Sequence, residues 1–137
     1  MTEPFSIIGI DLDRVGQPRN DGTPGSGLYA VPITLSRQLS ARETDLLVHF
    51  WDHPTSYTTM HRPGTAQVSG SSFVLNATTI DEVRDYHAAT VKQAVAATNS
   101  AFAEETEAAT RRQESEDQRR DAHDAEVRKV AGEIRFD

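Results

Sequence analysis

At 137 residues and 15.1 kDa, the chain has room for one domain plus an appendage. A hydrophobic share of 36% is low for a chain that is globular throughout, so one modest core is expected. A net charge of −7 sets the long-range field against nucleic acid and anionic lipid, and the absence of cysteine excludes disulfides, thiolate catalysis and cysteine-ligated zinc.

The N-terminal stretch MTEPFSIIGIDLD is acidic, and its apolar run is too short for a signal-peptide core or a membrane span. A cytoplasmic location is the expectation. Residues 5–12 (FSIIGIDL) are Ile-rich and follow Pro4, which predicts a strand. Residues 13–27 hold four Gly and two Pro, a composition that can continue neither helix nor ladder, so they form a loop. Residues 28–35 (LYAVPITL) predict a second strand. Pro32 lacks a donor and argues for an edge position or a bulge there.

Ser40-Ala41-Arg42-Glu43 is a capping box, in which hydroxyl and carboxylate each satisfy the other residue's amide. The helix it opens should turn Leu46, Leu47, Phe50 and Trp51 inward and end before Pro54. Residues 55–61 (TSYTTMH) have β character, and Arg62-Pro63-Gly64 suits a tight turn. Two further short strands are predicted at 65–69 and 72–77, around Gly70.

Thr79-Ile80-Asp81-Glu82 repeats the capping pattern and opens a final helix. Ile80, Val83, His87, Val91, Val95 and Phe102 recur at helical spacing, a stripe that docks on the sheet. Thr98-Asn99-Ser100 is the expected weak point of that helix. From 103 to 126 charge and alanine dominate, with acid-before-base pairs Glu107/Arg111, Glu116/Arg120 and Asp124/Arg128. An apolar stripe then returns as Val127, Val130, Ile134 and Phe136. The fold class is therefore α+β: a small, mostly antiparallel sheet of four or five strands, one short helix, and a long C-terminal helix extending as a charged arm. Residues 1–102 form the head and 103–137 the arm.

No catalytic signature is present. His49 and His53 stand at i,i+4, so both imidazoles can share an ion, with Asp52 or His61 completing the shell. The glutamate of a zinc-protease helix is missing, and Pro54 ends the helix at the second His; ordinary helix-end histidines explain the pair as well. Asp11 and Asp13 would share one strand face, where paired acids can hold Mg²⁺. The Gly22–Gly27 loop lacks the lysine and the following helix of a phosphate cradle. His87, Trp51, Tyr57 and Phe73 read as core.

The arm is the feature least explained by a self-contained monomer. A charged helix with its apolar residues gathered at the tip cannot bury them on itself. The primary expectation is a non-enzymatic interaction or assembly module, without cofactor, that oligomerises or docks a protein partner through Val127, Val130, Ile134 and Phe136. The alternatives are a small metal-binding protein or metal-dependent enzyme built on His49 and His53, and an acidic regulator or inhibitor of a basic partner. Neither nucleic acid nor membrane is an expected partner.

Overall fold

The computed structural model describes residues 3–137. Its elements are β1 (Ile7–Ile10), a 3-10 turn (Leu12–Arg14), β2 (Tyr29–Leu35), α1 (Ala41–Asp52), β3 (Ala66–Ser69), β4 (Ser72–Thr78), α2 (Ile80–Glu82), a π turn (Val83–His87) and α3 (Ala88–Glu133). The strands form one antiparallel sheet in the order β1-β2-β4-β3, and the fold is α+β. Contacts divide the chain into two compact units, Met1–Phe102 and Ala103–Asp137.

In the first unit, alternation along β2 and β4 sends Val31, Ile33, Leu35, Phe73 and Leu75 to one buried face. Leu47 and Trp51 from α1, with Val83, Val91, Ala94 and Val95 from the following helix, complete the core. β3 and β4 meet through Gly70-Ser71, with Gly70 at φ +61°, the glycine-first pattern of a type II′ turn. Ser40 caps α1 as a full box: the Glu43 amide donates to Ser40 Oγ at 3.2 Å and the Ser40 amide to Glu43 Oε1 at 3.0 Å.

Five local expectations are corrected. Pro32 lies in a central strand, not at an edge or in a bulge: β1 and β4 flank β2, and Pro32 pairs with Val74. It is tolerated because its carbonyl, which accepts from the Asp11 amide at 3.0 Å, faces the end of β1, so its missing donor faces there too. The Asp11 carbonyl that such a donor would have served accepts instead from the Arg14 amide in the 3-10 turn. That turn also separates Asp11 from Asp13, which share no strand face; β1 has ended at Ile10 and Asp11 lies 3.7 Å from Arg14.

Residues 55–61 form no strand but bends and turns, so the sheet has four strands and not five. Their Thr and Tyr residues have β propensity, but α1 and β3 are joined through them without a ladder to enter. Thr79 caps its helix only by half: its hydroxyl accepts from the Glu82 amide at 3.1 Å, while the Glu82 carboxylate is drawn away to Arg62 and Thr78. Finally, Thr98-Asn99-Ser100 does not break the helix. Thr98 is fully buried and donates to the Ala94 carbonyl, and Asn99 clasps Phe5, accepting from its amide at 3.1 Å and donating to its carbonyl at 2.9 Å.

The second unit is helical to Glu133, and no residue in it is buried. Its 31 helical residues, Ala103 to Glu133, extend roughly 45 Å at 1.5 Å per residue. Local polar bonds line it. Arg111 lies 3.8 Å from Glu107, as the spacing predicts, whereas Arg120 pairs with Asp117 at 2.9 Å, one residue nearer than the expected Glu116. Gln113 also donates to Asp117, at 3.1 Å. Exposed pairs of this kind contribute about 0.5 kcal/mol each.

Candidate functional site

The apolar stripe predicted at the arm's tip lies on one face of α3 and its C-terminal extension. Val127, Val130 and Ile134, spaced i, i+3, i+7, are about half exposed at 51%, 44% and 53%, and Phe136 beyond the helix is 96% exposed. With His123, Glu126 and Ala131 the three aliphatic residues line a shallow apolar concavity. Large aliphatic residues gathered on one face of an otherwise charged helix mark a surface suited to association.

The metal candidates do not converge. His49 and His53 do approach, ring centroids 4.9 Å apart, at the exposed end of α1. Asp52, however, spends one carboxylate oxygen accepting from the Gly64 amide at 2.8 Å. His61 lies elsewhere, its ring centroid 4.4 Å from that of Trp51. Among the described residues, no three histidine or carboxylate side chains are arranged to hold an ion.

A second polar cluster, missed in the sequence, surrounds Trp51. The indole is 1% exposed and meets His61, His87 at 5.4 Å and Phe73 at 6.2 Å, all tilted or edge-on. His87, 2% exposed, sits in the π turn, where the Ala88 amide bonds back five residues to Val83. The imidazole meets the Trp51 ring from this turn, and one-residue insertions of the kind recur at functional positions. Glu82 lies at the rim: Arg62 grips it with both guanidinium arms, at 2.8 and 3.2 Å, while Thr78 donates to it at 3.0 Å. The same Arg62 donates to the carbonyl of Ala77, a residue held at φ +55°.

Electrostatics in the cluster follow from burial. Desolvation pushes the His87 pKa down; Glu82, 3.9 Å away, opposes this, while Arg62 and His61 add to it. Desolvation also lowers His61, against weaker opposing effects of the Trp51 backbone and Asp52. The Arg62 hydrogen bonds hold Glu82 below the usual carboxylate range. Trp51 Nε1, Thr58 Oγ1, both His61 nitrogens and His87 Nδ1 are buried without a hydrogen-bond partner in the protein. This is a neutral histidine pair beside a satisfied ion pair. Glu82 in it is engaged by Arg62 and Thr78. The sequence signal for it was weak: His87 on the apolar stripe, and a capping glutamate with a competing arginine 20 residues earlier.

No helix among the described residues is long and apolar enough to cross a membrane. Comparison with protein-family models, with curated proteins and with solved structures returns nothing that matches this chain.

Proposed function

We propose that this chain is a non-enzymatic, cytoplasmic interaction or assembly module that engages a protein surface through its C-terminal helix. The supporting observation is the face formed by Val127, Val130 and Ile134, exposed at the end of an arm in which every residue from 103 to 126 is charged, polar or alanine. Covering that face removes aliphatic surface from water at about 25 cal/mol per Å², and since a stable interface buries about 1,000 Å² or more in total, the partner surface extends along the arm beyond these three side chains. The polar cluster supports no competing enzymatic reading, since its carboxylate is consumed by Arg62. The acidic surplus of the arm points to protein and away from polyanions.

The test compares the full chain with a full-length Val127→Asp/Val130→Asp/Ile134→Asp variant, whose changes fall on solvent-facing positions. Sedimentation velocity from micromolar to millimolar concentration is expected to show species above 15.1 kDa, or affinity capture a defined partner, and the variant to abolish either. A wild-type chain that stays monomeric throughout and binds nothing the variant fails to bind would remove the proposal.

A further inference from the structure

Resting on the interaction reading above, we infer that the surface covering the apolar face is the same arm of a second copy, packed antiparallel and displaced so that Arg120 of each chain meets Glu116 of the other. Val127 and Val130 take positions a and d of a heptad seam, and Ile134, the first residue past the end of α3, falls at the next a. Carried back through the helix in steps of seven, the seam takes in Thr106, Gln113 and Arg120 at a, and Ala109, Glu116 and His123 at d. Every one of these lies in the solvent-exposed second unit.

Orientation is decided by the charges in the middle of the seam. In a parallel pair in register, Glu116 faces Glu116 and Arg120 faces Arg120, two like-charge layers in succession. In an antiparallel pair, a positions face d positions. Of the available staggers, one sets Arg120 against Glu116 of the second copy, twice by symmetry. The same stagger places Val127 against Ala109, Val130 against Thr106 and Gln113 against His123. Large aliphatic residues thus meet small ones, and the polar residues find complementary partners. Arg112 and Glu126 flank the seam at g positions and face each other across it, again twice. Asp117 meets Asp117 and Arg119 meets Arg119 at the dyad, on opposite sides. Glu105 meets Glu133 near the ends. These repulsions make the dimer weak and sensitive to salt. Arg120 already bonds Asp117 within its own helix at 2.9 Å, and its five donors can serve both acids.

Tail-to-tail packing of Val127 on Val130 is the competing stagger. It overlaps only residues 120–137 and leaves Glu116 outside the interface.

The experiment uses the full chain, which has no cysteine, so introduced thiols are unique. Sedimentation equilibrium is expected to give a dimer whose dissociation constant rises about tenfold with Glu116→Arg alone or with Arg120→Glu alone, since each replaces two attractive contacts by repulsive ones. The double exchange Glu116→Arg/Arg120→Glu restores it. Mixed chains carrying Val127→Cys and Ala109→Cys are expected to cross-link to each other faster than either does to itself. Indifference of the dimer to the single reversals, rapid self-cross-linking of Val130→Cys chains, or preferential linkage of Val127→Cys to Val130→Cys chains overturns the stagger while leaving a docking helix in place. A wild-type chain monomeric to millimolar concentration overturns self-association outright, and the broader reading then stands or falls on the aspartate variant's effect on a captured partner.

Discussion

Glu43 is 2% exposed, yet its carboxylate accepts three hydrogen bonds, two from Arg37 and one from the Ser40 amide. The Arg37 guanidinium first, and the Ser40 cap after it, hold its carboxyl below the usual carboxylate range despite burial. Replacing it with Gln keeps the shape and strands Arg37, whose side chain is 28% exposed and can still reach water. Glu43→Gln is expected to lower unfolding stability by about 2–3 kcal/mol, toward the lower end for a broken buried pair. Urea denaturation followed by the sole tryptophan, Trp51, measures it, and a loss below about 0.5 kcal/mol would show the pair to be energetically idle. The Ser40/Glu43 half of this arrangement was legible in the sequence because a capping box is complete within four residues. The Arg37 half was not, since nothing local says where the loop carries that side chain. Arg62 with Glu82 failed for the same reason over 20 residues, and so the second capping motif was read as a box when its carboxylate had a better partner. At the arm's tip the sequence displayed the apolar spacing directly, and Val127, Val130, Ile134 and Phe136 are all exposed.

Among the elements, α3 depends on an attachment that propensity argues against. Thr, Asn and Ser in succession weaken an isolated helix, yet Thr98 is buried and Asn99 is bonded at both ends to the backbone of Phe5, 94 residues away. Asn99→Ala improves intrinsic helicity by a few tenths of a kcal/mol but orphans a part-buried amide and carbonyl. The net expectation is a loss of about 1–2 kcal/mol, read as a drop of several degrees in the thermal midpoint followed by Trp51 fluorescence. An unchanged or raised midpoint would show the clasp to be incidental. The strands were readable from alternation and from Gly70, while Pro32 misled because the sequence cannot say which way a missing donor points. The π turn has no sequence signature at all, and His87 at its end meets Trp51.

At the scale of the molecule, acid acts in two windows. His61 and His87 have pKa values below the ordinary 6.5, so as pH falls the unfolded chain binds protons before the folded one does. Their burial therefore carries no penalty above pH 6.5 and destabilises progressively as pH drops toward the folded values. Charges facing them are Glu82, Arg62 and Asp52, of which the acids moderate the effect. Glu43 and Glu82 are likewise lowered from 4.5; their stabilisation is complete above that value and is lost as pH falls through the lower folded ones. The thermal midpoint reported by Trp51 is expected to decline between pH 7 and 5 and again, more steeply, below 4.5. His87→Leu should flatten the first decline, and a midpoint constant from pH 7 to 5 would contradict the buried neutral histidines. The arm, with no buried group, should retain its far-UV helical signal through the first window. Pro32, finally, fixes where the ladder between β1 and β2 stops. Its missing donor would have served Asp11, one residue past Ile10, and the Asp11 carbonyl turns to the Arg14 amide, so strand gives way to 3-10 turn at that point. The Asn99 side chain holds the chain just ahead of the same strand, so β1 is pinned at both ends, by the bonded backbone of Phe5 and by the turn at Asp11.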